Sequence, residues 1–116
     1  MHAASLTIID ITEKALTNEL YANLPVALVN DHVVRISIMT EPYFWHFHPD
    51  SDESFLAIGG SLLIDLEDKT IELLPNQLFT IPKNVRHRTR PGGARSVNLT
   101  FEKANITTIK IGHFGS

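Results

Sequence analysis

A chain of 116 residues that is 43% hydrophobic and 20% charged has room for one globular domain with a real core, and it is not the composition of a disordered segment. A net charge of −3 supplies no whole-molecule field to attract nucleic acid or an anionic membrane, and the lack of cysteine excludes disulfides, thiolate metal sites and a cysteine nucleophile. No basic segment precedes an apolar run at the N-terminus, and the longest apolar run, residues 24–29, is far short of the ~20 residues of a membrane span; a cytoplasmic protein is the expectation.

In chain order, the β-branched residues of 6–11 predict a strand, and residues 12–22 predict the one helix, capped by Thr12 and striped by Ala15, Leu16 and Leu20. Short strands follow. The first is 33–40, with Val34, Ile36 and Ile38 on one face; the others are 53–58, 62–66, 70–74, 77–81, 87–90, 97–102 and 106–111. Turn chemistry separates them at Gly59-Gly60, Glu67-Asp68-Lys69, Pro75-Asn76, Pro82-Lys83-Asn84 and Pro91-Gly92-Gly93. Many short strands at nearly regular spacing predict an all-β antiparallel sandwich or barrel: a single domain over 1–116, its barrel core at about 30–111, with the strand and helix of 6–22 before it. Several strands, Phe55-Leu56-Ala57-Ile58 among them, are apolar on both faces. One face fills the interior and the other needs a cover, which predicts a homodimer.

The stretch WHFHPDSDE, residues 45–53, carries the chemistry. On a strand His46 and His48 point the same way, with Phe44, while Trp45 and Phe47 point the other way. Glu53 comes back beside them if Pro49-Asp50-Ser51-Asp52 reverses the chain. Two imidazoles and a carboxylate suit a borderline divalent cation, and His87, after another turn, is the candidate for a further ligand. The pair alone leaves the question open, since histidines two apart on a strand are often only solvated. His2, His32 and His113 have no ligand partners nearby and read as surface residues.

A longer pattern adds weight. His46-x-His48-x4-Glu53-x6-Gly60 resembles the first cupin motif, and Pro82-x-Asn84-x2-His87 resembles the second, which reads Pro-x-Gly-x2-His. The short stretch between the motifs is like that of small single-domain cupins, as are Trp45, Asp52-Glu53-x-Phe55 and Leu74-Pro75. The resemblance covers roughly residues 30–102. It implies a double-stranded β-helix, the RmlC-like jelly roll, with one metal held by His46, His48, Glu53 and His87. Four positions depart from the family: Thr40, Asn76 and Asn84 stand where glycine is expected, and Pro91 stands where asparagine is. Asparagine tolerates positive φ better than other non-glycine residues, so the turns at 76 and 84 should survive.

The implied cofactor is one divalent transition metal per chain, with iron, manganese, nickel, copper and zinc all compatible with three imidazoles and a carboxylate. The implied function is a metal-dependent enzyme of dioxygenase, isomerase or lyase type acting on a small polar organic molecule; the alternative is a non-catalytic metal or small-ligand binding module. A metal-free sugar-nucleotide epimerase is disfavoured by the complete ligand set. No catalytic acid or base is identifiable by parity, and Tyr43 has only its position to recommend it. Lys83, Arg86, Arg88, Arg90 and Arg95 read as a solvated or intersubunit face, because residues flanking an inward His87 point outward. Asp50 and Asp52 read as turn residues, and Phe44, Phe55, Phe79 and Phe101 as core or pocket wall.

Overall fold

The computed structural model describes residues 5–112, so His2 and His113 lie outside the described residues. A single helical turn, α1 (Ile11–Lys14), precedes ten strands. Five of these, β1 (Tyr21–Val29), β2 (His32–Met39), β9 (Ser96–Lys103), β4 (Glu53–Gly59) and β7 (Leu78–Ile81), form one antiparallel sheet in that order. Facing it are β6 (Thr70–Leu73), β5 (Leu62–Asp65) and β8 (Arg88–Pro91) in one sheet, and β10 (Ile109–Lys110) with β3 (His46–Phe47) in another. The all-β jelly roll expected from the strand pattern is present.

The N-terminal region differs from its sequence reading. Residues 6–11 form no strand; Leu6 has φ 53°, and Asp10 caps α1 by accepting a hydrogen bond from the Glu13 N–H at 3.2 Å. The helix expected over 12–22 shrinks to α1 because its stripe has nothing to pack on: Leu16 and Leu20 are both exposed. Tyr21 and Ala22 belong instead to β1, which runs through the apolar stretch at 24–29 and pairs along its length with β2. The sheet therefore begins near residue 21 rather than 30.

Alternation along the large sheet makes two cores. Inward, Met39, Phe55, Ala57 and Ile81 pack with Leu62, Ile64 and Leu73 of the facing sheet. Outward, Ile36 and Ile38, with Val34 beside them, pack with Val26, Val97 and Leu99, as the period of 33–40 predicts. The chain covers one end of this outer face itself, with Ile9, Ile11 and Ala15, where a second subunit was the only cover foreseen. Arg95 fastens that cover, its Nη2 donating to the Ala15 carbonyl at 2.6 Å.

The turns answer the motif departures. Asn76 and Asn84 have φ 71° and 70°, so asparagine performs the task of the missing glycines. Gly60 has φ 65°, and a Cβ there would meet the Arg95 carbonyl oxygen at 2.5 Å, so this turn requires glycine. Pro91 ends β8 without disrupting its pairing with Leu62. Thr40 donates its hydroxyl to the Leu20 carbonyl at 2.8 Å.

Candidate metal centre

The turn after β3 reverses the chain, so that β4 starts with Glu53 pointing into the barrel. Side-chain bonds to distant segments help hold this turn: Asp50 accepts from the Thr107 N–H at 3.0 Å and Asp52 from the Lys83 N–H at 2.9 Å. Both aspartates thus tie down distant segments, whereas their sequence suggested only local turn chemistry. His87 is carried to the same place by backbone pairing, His46 N–H to His87 O at 3.0 Å and His87 N–H to His46 O at 2.9 Å.

The four residues converge. One ligand atom from each of His46, His48, Glu53 and His87 lies within 4.8 Å of the others, and all four side chains are buried. Each imidazole is oriented by a backbone carbonyl that can only accept, so Nδ1 carries the hydrogen: His46 donates to Phe44 O at 2.7 Å, His48 to Thr107 O at 3.0 Å and His87 to Val85 O at 2.9 Å. In the neutral imidazole each Nε2 then carries the lone pair available to a ligand. Glu53 Oε1 lies 3.2 Å from His48 Nε2 and 3.4 Å from His87 Nε2, yet these three atoms form no hydrogen bond of good geometry. Buried polar atoms without partners are costly. Three such atoms aimed at one point, presented by borderline N and O donors, fit a divalent transition metal.

The electrostatics agree with that fit. Burial, helped by the neighbouring His87, pushes His46 down to about 4, so it stays neutral and able to ligate. Burial works to raise Glu53, but the close approach of the His48 and His87 rings outweighs it and holds the carboxyl well below the usual range. Burial likewise works to lower His48, and the Glu53 carboxylate reverses the sign and raises it. The cluster is an anionic carboxylate set among imidazoles, as a cation site requires.

Above the cluster is an open cavity of about 290 Å³, whose walls include Tyr43, Phe55, Met39 and Thr89. Tyr43 stands edge-on to His46 at 5.1 Å between ring centroids, and burial raises its hydroxyl pKa. Phe55 is pocket wall as expected; Phe44 is 59% exposed, with Lys110 4.5 Å from its ring centroid, because the chain before His46 is not yet a strand and parity does not hold there. Phe79 lies on the inner core and Phe101 on the outer one. His32 is a surface residue, paired with Asp31.

Glu102 was overlooked in the sequence. It is buried on the inward face of β9 and lines the cavity; burial and the Glu53 charge push it up to about 7. Alternation could have found it, since Val97, Leu99 and Phe101 face outward and leave Asn98, Thr100 and Glu102 facing in. The basic cluster also differs from expectation. Arg88 and Arg90 are not free on a solvated face but converge on buried Asp65, with four N–H donors at 2.9–3.1 Å from its carboxylate. Arg86 instead lies over Phe47.

No family model matches the chain. It is 46% identical over 101 residues to the uncharacterized protein YdbB of Bacillus subtilis, across 84% of this chain and 88% of that one. It is 36% identical over 56 residues to the polyketide synthase CurC of Streptomyces cyaneus, a match covering 48% of this chain and 36% of that one. A cupin-2 domain containing protein from Shewanella frigidimarina shares its structure with a TM-score of 0.77 and 27% identity, over 83% of this chain and 94% of that one. No helix among the described residues is long and apolar enough to cross a membrane. With a relative of nearly equal length at this identity and a cupin-2 domain sharing the fold over most of both chains, the chain belongs to the family of YdbB within the cupin superfamily.

Proposed function

We propose that this protein is a metal-dependent cupin enzyme acting on a small polar organic molecule, with His46, His48, Glu53 and His87 holding one divalent transition metal. The observation that carries the reading is the convergence of unpartnered, buried Nε2 and Oε1 atoms at the floor of an open cavity. A structural ion would be enclosed by its ligands, whereas this cluster faces space for a small molecule. When bound, the metal supplies Lewis-acid polarisation of a substrate oxygen.

The chain's own groups do the rest. The carbonyls of Phe44, Thr107 and Val85 fix the imidazoles in one tautomer, so the ligand atoms need no reorganisation. Phe55 and Met39 exclude water from one side of the cavity. Glu102, the one cavity carboxyl outside the cluster among the described residues, is positioned to exchange a proton with a bound molecule. Its presence favours an enzyme over a passive binding module, since a module has no use for a second buried acid. The enzyme name carried by the Streptomyces relative points the same way. The test is elemental analysis of protein purified without chelator or nickel resin, followed by turnover assays under air with small acids, diketones and sugars. About one equivalent of metal with turnover of any class supports the reading; failure to bind manganese, iron, nickel, copper or zinc overturns it.

The homodimer is part of the same proposal. On the outer face of the large sheet, Leu24, Ile36, Leu99, Leu56 and Leu78 are cross-strand partners in one row spanning all five strands. The end residues of the row, Leu24 and Leu78, are 50% and 62% exposed, which suits a second copy laid across it.

A further inference from the structure

We propose that Arg35 and Thr100 form an anion subsite on the cavity wall, so that the molecule taken by this pocket is a small carboxylic acid. Its carboxylate sits on Arg35 while another oxygen reaches toward the histidine–glutamate cluster. This inference rests on the metal-centre reading above and names the substrate class of the same site.

Arg35 faces inward because its neighbours Val34 and Ile36 face outward on β2, and it lines the cavity with Asn23 of β1. Among the described residues no hydrogen bond or ion pair engages its guanidinium. The other arginines are occupied: Arg88 and Arg90 by Asp65, Arg95 by the Ala15 carbonyl, and Arg86 by the Phe47 ring. Arg35 is close enough to Glu102 to oppose the rise in its pKa, but the two do not form an ion pair. A guanidinium cannot shed its charge at any physiological pH, and it presents paired donors matched to a carboxylate.

Thr100 supplies the second, independent observation. It is the register partner of Arg35 across β2 and β9, it lines the cavity, and it is only 4% exposed. Its Oγ1 lies near Glu102 but makes no hydrogen bond of normal geometry. A barrel interior is ordinarily filled by apolar side chains, as the opposite half of this one is. On this wall the Thr100 hydroxyl and the Arg35 guanidinium are donors without partners among the described residues, and an oxyanion would satisfy both.

The placement suits a bridging molecule. Ser54 pairs with Phe101, which sets Glu53 opposite Glu102 and Phe55 opposite Thr100. Arg35 is thus two strands away from the strand bearing Glu53 and one inward step along, a backbone separation on the order of 10 Å. A cavity of about 290 Å³ at that span holds a molecule of a few carbons with oxygens at both ends.

The test uses two probes, malate and glycolate, which share a 2-hydroxy acid end and differ by a distal carboxylate. Calorimetric titration is done on the manganese-loaded full chain, with metal content and circular dichroism recorded for each variant. In the parent, malate should bind roughly tenfold more tightly than glycolate. Arg35→Gln should erase that ratio while leaving metal content unchanged, and Arg35→Lys, which keeps the charge without the fork, should retain part of it. Metal bound with no preference for malate in the parent overturns the subsite alone. A preference that survives Arg35→Gln does the same, and so does loss of fold in both variants, which would make Arg35 structural. No metal and no binding of either acid overturns the metal reading and this inference with it, and the metal assay tells the two failures apart.

Discussion

His46 and His87 exchange both of their backbone hydrogen bonds, at 3.0 and 2.9 Å, so two of the proposed ligands form the bridge between β3 and the chain entering β8. The scaffold of the centre is therefore main chain and independent of the ligand atoms. Glu53→Gln should lose metal while keeping the parent's circular dichroism. Metal at about a hundredfold above its dissociation constant stabilises by about 2.7 kcal/mol, so chelator should lower the parent's melting temperature by several degrees and leave the variant's unchanged. Occupancy should fall in acid, first through His48, whose pKa the Glu53 carboxylate raises, while His46 stays neutral to about 4. A Glu53→Gln variant that retains full metal would refute the four-ligand model.

Glu102 predicts a pH dependence of opposite sign to the usual carboxylate. Its folded pKa, near 7, is above the unfolded value, so the folded state holds a proton that the unfolded chain releases above about pH 4.5. Stability is lost as pH rises from there through 7, and Glu102→Gln removes the loss. In chelator at pH 8 the variant should be more stable than the parent by about 2 kcal/mol, and near pH 4 the two should match. Urea titrations at both pH values measure this, and equal stabilities at pH 8 would contradict it.

Asp65 behaves in the ordinary sense. Burial works against its charge, but hydrogen bonds from Arg90, Thr70 and Arg88 hold its carboxyl below the usual range. The stability it contributes is complete above the unfolded pKa and lost as pH falls toward acid. Asp65→Asn leaves two arginines sharing a neutral partner and should cost about 2–3 kcal/mol, with metal content unchanged, because the cluster is on the far side of β5 and β8 from the cavity. Arg88→Ala should likewise leave metal content intact. Denaturation midpoints and metal analysis of both variants decide it.

The leucine row predicts assembly. Light scattering coupled to gel filtration should give a dimer mass at micromolar concentration, and Leu78→Lys, which places a charge on an exposed end of the row, should give a monomer that still binds metal. A monomeric parent would remove the homodimer from the proposal.

The barrel was legible because its signals are local: turn residues at regular intervals and alternation within each strand. Asn76 and Asn84 could be assigned positive φ because they stand where the cupin motifs have glycine and asparagine tolerates that conformation. The four residues of the cluster were legible through the spacing they share with the two cupin motifs, since the histidine pair alone left the question open. The N-terminal region was not, since residues 12–22 carry a weak helical stripe and the competing option, pairing of Tyr21 and Ala22 with β2, is a tertiary contact that no local pattern records. Arg88 and Arg90 were misread for a similar reason: parity correctly turned them outward, but their partner Asp65 is more than twenty residues away in sequence. Glu102 was hidden by being read as the end of a strand rather than as a member of its inward row.

The hydrogen bond from His48 to the Thr107 carbonyl joins residues 59 apart in sequence. Phe44 and Val85 orient their histidines from two residues away, so those two imidazoles can be aimed as soon as their own turns form. The third cannot be aimed until the segment around residue 107 has been made and has folded back to meet both His48 and Asp50. A nascent chain stalled before that point would carry all four ligand side chains with one of them unaimed. Any metal the cluster takes should thus be acquired only after that segment has folded back, and cleavage just before β10 is expected to lower the metal content while leaving the larger sheet whole.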